Sequence, residues 1–130
     1  MVASADPRRA LGELGERFAA EHLERAGYLV LARNFRTRFG ELDIVAADDR
    51  CLVFCEVKAR VAGGRQGPPG PLDAIGPRKR RRVRAMAREW LAATTAGERP
   101  HRPDLRFDAI GVVVTSRGVL LSIEHVEDAF

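Results

Sequence analysis

Lysine is nearly missing from this chain. Of its 22 basic residues only Lys58 and Lys79 are lysines, the other 20 being arginine, which marks both as candidates for positions where a primary amine matters. Cysteine is equally scarce. Cys51 and Cys55 stand four residues apart on one expected strand, roughly 13 Å from each other and beyond the ~7 Å reach of a disulfide, so they read as small core residues. No apolar run approaches the ~20 residues of a membrane span. The stretch from Met1 to Arg9 lacks the apolar centre of a signal peptide, so the expected location is the cytoplasm. Internal repeats, zinc-type Cys/His clusters, Walker loops and nucleophile elbows are absent too, which removes solenoids, zinc modules, P-loop NTPases and α/β-hydrolases from consideration.

What is present suffices for one folded domain: 130 residues, 45% of them hydrophobic, enough for a sizeable core without staples. A net charge of +4 and a pI near 9.8 point to a polyanionic partner.

The stretch from Gly40 to Lys58 organises the rest. Apolar runs rich in Val, Ile, Leu and Phe flank Asp48 and Asp49, which predicts a hairpin with a two-residue loop. In that register Ala47 pairs with Arg50, Val45 with Leu52, Asp43 with Phe54 and Glu41 with Glu56. Period-2 alternation then gathers Glu41, Asp43 and Glu56 on one face, with Lys58 just beyond and Leu42 and Ile44 opposite. Carboxylates facing one another across a sheet repel, so the cluster calls for a counter-charge, and a divalent cation held by oxygen ligands supplies one. A salt-bridged strand end is the plainer reading of Glu56 and Lys58.

The first helix starts at Asp6-Pro7, with Asp as N-cap and Pro at the first helical position, and runs to about Ala26 before Gly27. Leu11, Leu14, Phe18, Ala19 and Leu23 form its buried arc, and Glu16 lies at the edge, placed either to reach a groove against the sheet or to stay a solvated helix glutamate. Gly12 and Gly15, each costly inside a helix, suggest a close approach of another backbone. Tyr28 to Asn34 reads as a strand, and Phe35 to Phe39 as a basic loop bringing Arg36 and Arg38 near the acids. Arg60 to Pro71 holds too much Gly and Pro for helix or strand and is expected to be a mobile loop. A second helix begins at Gly76-Pro77 and runs to about Ala93. Its first turns are basic at Arg78, Lys79, Arg80, Arg81, Arg82 and Arg84, against the helix dipole and suited to phosphate. Val83, Met86, Ala87, Trp90 and Leu91 form its docking face. Arg106 to Thr115 and Val119 to Ile123 are the last two strands, with Asp108 expected to be a structural partner for an arginine.

Helix, three strands, helix, two strands, with Asp43 followed by Glu56-Val57-Lys58, resembles the restriction-endonuclease-like fold of the PD-(D/E)xK nucleases. More closely, the chain is similar to the YraN family of predicted endonucleases, which are like archaeal Holliday-junction resolvases. The matching stretches are Gly15-Glu16 with Ala19-Ala20 and Leu23, Gly27-Tyr28, Asn34-Phe35-Arg36, Gly40 to Ala46, Val53 to Arg60, Lys79, Arg106-Phe107-Asp108 and Asp128-Ala129-Phe130. The match covers nearly the whole chain. It departs from the superfamily name in placing Phe39-Gly40-Glu41 before the aspartate where that name leads one to expect a proline, a position that varies.

The resemblance implies an α/β fold, with an αβββαβ core and a central mixed sheet flanked by helices, as a single domain over residues 1–130. It implies that Asp43, Glu56 and the Val57 carbonyl bind Mg²⁺ (or Mn²⁺). It further implies that Lys58 orients the attacking water, that Glu16 completes the site, and that DNA is the partner. Glu41 is a possible accessory acid, and Arg36, Arg38, Arg78, Lys79, Arg80, Arg81, Arg82 and Arg84 are the expected nucleic-acid contacts. A homodimer would suit a symmetric junction. The expected function is thus a metal-dependent endonuclease for branched or structured DNA. The alternatives are a catalytically silent nucleic-acid-binding module of the same fold and an adaptor for a protein partner.

Overall fold

Asp6 caps the first helix by accepting a hydrogen bond from the Arg8 backbone N–H at 3.0 Å. Helix α1 (Pro7–Arg25) gives way to Gly27 at φ +95°, a left-handed conformation that glycine adopts without strain. In this computed structural model, which describes residues 6–63 and 76–130, there follow β1 (Leu29–Thr37), β2 (Gly40–Ala47), β3 (Cys51–Val61), α2 (Pro77–Ala93), β4 (Asp104–Val114) and β5 (Leu120–Val126). The five strands form one sheet in the order β1-β2-β3-β4-β5. β3 and β4 are parallel and every other pair is antiparallel. The expected element order and mixed sheet are both present.

Two apolar clusters sandwich that sheet. Ala19, Ala20 and Leu23 of α1 close over Ile44, Ala46, Val53, Cys55, Ile110 and Val112. On the other face Val83, Met86, Ala87 and Trp90 of α2 close over Leu42, Val45, Phe54, Phe107 and Ala109. Trp90 meets Phe54 edge-on at 5.8 Å, so it is a core residue as expected. β3 is covered on both faces, which explains its near-continuous apolar run.

Four expectations need correcting. The hairpin register is shifted by two: Ala47 pairs with Leu52, Val45 with Phe54 and Ile44 with Cys55. The cause is Asp48, whose carboxylate accepts from the N–H groups of both Arg50 (2.9 Å) and Cys51 (2.7 Å) and so widens the loop. The stretch from Phe35 to Thr37 is strand rather than loop, pairing with Leu42, Glu41 and Gly40. Arg60 and Val61 likewise extend β3 beside Val113 and Val114; most of the expected loop to Pro71 lies outside the described residues. On α1, Gly15 does meet a close neighbour, since a Cβ there would stand 2.6 Å from that of Ala59, whereas nothing lies within 4 Å of one at Gly12.

Candidate metal centre and its basic flank

The site arises where β2 parts from β3. Their pairing ends at Ile44 and Cys55, yet β3 continues beside β4 to Val61. Beyond Cys55 one side of β3 therefore has no strand partner, and its N–H groups need another acceptor. Asp43 supplies it: Oδ2 accepts from the Val57 N–H at 2.8 Å. Strict alternation along β2 fails here, because Leu42 and Val45 both join the cluster under α2 while Ile44 joins the one under α1. Leu42 and Ile44 therefore do not share a face, contrary to the sequence expectation, and Glu41 and Asp43 are turned toward α1.

There they meet Glu16. Carboxylate oxygens of Glu16, Glu41 and Asp43 lie within 4.8 Å of one another. Burial, then the charges of Glu56 and Glu16, push the Asp43 carboxyl up to about 7 against the lowering effect of the Val57 N–H. Burial also raises Glu16, opposed by a hydrogen bond from Asn34. These are hard oxygen donors of the kind taken by Mg²⁺ or Mn²⁺.

Glu56 points the other way. It is 9% exposed, and its Oε1 stands 3.3 Å from the Lys79 Nζ on α2. Burial and the neighbouring Lys58 lower the Lys79 ammonium, and Glu56 works against that shift. The two lysines of the chain thus lie side by side, and Lys79 is the one paired with Glu56. Lys58 itself is exposed.

The expected nucleic-acid contacts divide. Arg78, Arg80, Arg81 and Arg82 are exposed on α2, but Lys79 belongs to the site. Arg84 lies over the Phe107 ring at 4.4 Å and donates to the Phe130 carbonyl at 2.9 Å. Arg36 pairs with Glu41 at 3.6 Å beside the acids, whereas Arg38 pairs with Glu89 at 3.3 Å on α2. Asn34 had no assigned role in the sequence. It adopts φ 54° opposite the β2 turn toward α1, and with Glu16, Glu41, Arg36 and Arg9 it lines a cavity of about 530 Å³. Its only sequence signal is an asparagine inside a strand run, a residue that tolerates the left-handed region.

A second polar cluster is structural. Asp108 is fully buried and accepts from Arg106 (2.7 Å), His125 (2.8 Å) and the Asp128 N–H (2.9 Å). Arg106 reaches on to Tyr28 and to Asp48. His22 of α1 packs edge-on against His125.

Comparison with known proteins finds relatives of this chain by sequence. A family model described as "Uncharacterised protein family UPF0102" matches residues 15–112. A UPF0102 protein of Acidothermus cellulolyticus is 41% identical over 137 residues, covering 100% of both chains. One of Nitratidesulfovibrio vulgaris is 43% identical over 125 residues, covering 96% of this chain and 87% of its own. One of Frankia casuarinae is 45% identical over 122 residues, covering 93% and 96%.

Proposed function

The chain belongs to the UPF0102 family, the YraN family that its motifs resemble, and from its site we propose that it is a divalent-metal-dependent endonuclease acting on branched or structured DNA. The observation that carries this reading is the Asp43 carboxyl, raised to about 7 among carboxylates and hydrogen-bonded by the strand that bears Glu56 and Lys58. A carboxyl kept protonated near neutrality by its burial, and then by the carboxylates around it, fits a cation.

In this reading Asp43, Glu56 and the Val57 carbonyl would hold Mg²⁺ or Mn²⁺, with Glu16 completing the site and Glu41 accessory to it. When bound, such a cation polarises a phosphate, lowers the pKa of water and offsets developing charge. Lys58, exposed next to Lys79, would orient the attacking water and stabilise negative charge on the phosphate. Asn34 holds Glu16 in place, and Arg36 stands ready for a flanking phosphate. Arg78, Arg80, Arg81 and Arg82 contact the backbone of the nucleic acid further out.

The test is nicking of labelled duplex, flap, fork and four-way-junction DNA with Mg²⁺ or Mn²⁺, wild type against Asp43→Ala. Cleavage of one structure, lost in the variant, is the expected result. Binding without cutting, equal in both proteins, would overturn the nuclease and leave a binding module built on the exposed arginines of α2.

A further inference from the structure

The two flanks of the site carry opposite surpluses of charge. Toward α1, three carboxylates converge, and Arg36, exposed at 3.6 Å from Glu41, is the cation paired among them. Toward α2 the balance reverses: one carboxylate, Glu56, pairs with Lys79 at 3.3 Å, and a second ammonium, Lys58, lies beside Lys79. Lys79 sits in the first turn of α2, which has no acidic residue and no side-chain cap at Gly76, so the helix dipole adds to the positive side. Anything that drew Glu56 toward the other carboxylates would strip Lys79 of its partner and deepen that surplus.

Lys79 also differs from its neighbours. Its side chain is 18% exposed, where Arg78, Arg80, Arg81 and Arg82 face solvent. A guanidinium would grip Glu56 through a planar fork; an ammonium is a compact charge on a flexible stem and changes partners easily. That difference gives a physical reason for lysine at this position in a chain that otherwise uses arginine for 20 of its 22 basic residues.

We infer that Lys79 is a substrate-binding residue held in reserve by Glu56: in the free protein its ammonium pairs with the carboxylate, and when a divalent cation takes Glu56 it turns to a non-bridging oxygen of the substrate's phosphodiester. The inference rests on the metal-site reading proposed above, but not on cleavage. Lys79 and the cation compete for Glu56, while the cation and the substrate phosphate cooperate through Lys79.

The experiment measures Mn²⁺ binding by calorimetry and binding of a fluorescent duplex oligonucleotide, in full-length wild type, Lys79→Met, Lys79→Arg and Glu56→Gln. Lys79→Met is expected to bind Mn²⁺ about fivefold more tightly, the release of one partly buried ion pair. Its DNA affinity falls about tenfold with Mn²⁺ present and stays unchanged in EDTA; Lys79→Arg restores most of the loss. Glu56→Gln, which frees the ammonium, binds DNA more tightly than wild type in EDTA. Unchanged or weaker Mn²⁺ binding in Lys79→Met, or an equal loss of DNA affinity with and without Mn²⁺, would overturn the inference. So would a Glu56→Gln protein that gains nothing, a result that stands even if Lys79→Met fails to fold. If wild type shows this pattern yet cuts nothing, the nuclease fails and Lys79 keeps its role; if wild type cuts and the pattern is missing, the reverse holds.

Discussion

On the metal-site reading proposed above, the buried carboxyl of Asp43 would make metal uptake an exchange with protons. Below about pH 7 the group holds a proton in the metal-free protein, so Mn²⁺ affinity is expected to fall about tenfold for each pH unit below that value, as calorimetry across pH 5.5–8 would read. Stability carries the same signature with its own sign. Because the folded carboxyl is raised above its unfolded value, its contribution is full below about pH 4 and is lost as pH rises through about 7. Asp43→Asn removes that dependence, so in EDTA at pH 8 the variant melts higher than wild type, although it binds no Mn²⁺. The difference between the two melting profiles, not either alone, isolates this residue, since other groups titrate as well. Asp43 and Glu56 were legible as candidates from residue type and spacing. The Glu56 to Lys79 pair was not, because it forms only when α2 docks on the sheet.

Elements set the position of Glu16 through one close approach. At Gly15 the backbone of α1 comes so near β3 that an alanine Cβ would stand 2.6 Å from the Cβ of Ala59. Gly15→Ala is therefore expected to destabilise the protein by about 1–3 kcal/mol despite the better helix propensity of alanine. It also tilts α1 enough to weaken Mn²⁺ binding, and Ala59→Gly in the same chain recovers both. Gly12→Ala meets nothing within 4 Å and should gain up to about 1 kcal/mol in urea denaturation. Element types and most ends could be read from the sequence because their signals are local: Asp6-Pro7, Gly27, Gly76-Pro77, and the spacing of Val83, Met86, Ala87 and Trp90. The strand register could not, since it turned on the Asp48 side chain capturing two backbone N–H groups. Nor could the break in alternation at Asp43, which depends on β3 keeping β4 as a neighbour after losing β2.

Across the whole molecule, Arg106 ties β4 to the link after α1 at Tyr28, to the β2–β3 turn at Asp48 and, through Asp108, to His125 and the Asp128 backbone. Burial alone would raise the Asp108 carboxyl, but His125, Arg106 and the Asp128 N–H together hold it below the ordinary range. Its stabilisation is present above about pH 4 and lost as pH falls through the depressed value. Arg106→Met strands that buried charge and is expected to cost about 3–5 kcal/mol in urea denaturation at pH 7. The exposed arginines of α2 act at longer range: replacing Arg78, Arg80, Arg81 and Arg82 with glutamine should reduce the salt slope of DNA binding by about 0.9 for each phosphate that is no longer neutralised. The parallel ladder from Cys51 and Asp104 to Val61 and Val114 has a consequence in time. Parallel neighbours need a crossover, so β3 and β4 zip together only after the chain carrying α2 has closed between them, a non-local step that slows folding. In stopped-flow refolding, far-UV helix signal should return first. The fluorescence of Trp90, the chain's one tryptophan, should lag until its ring settles against Phe54.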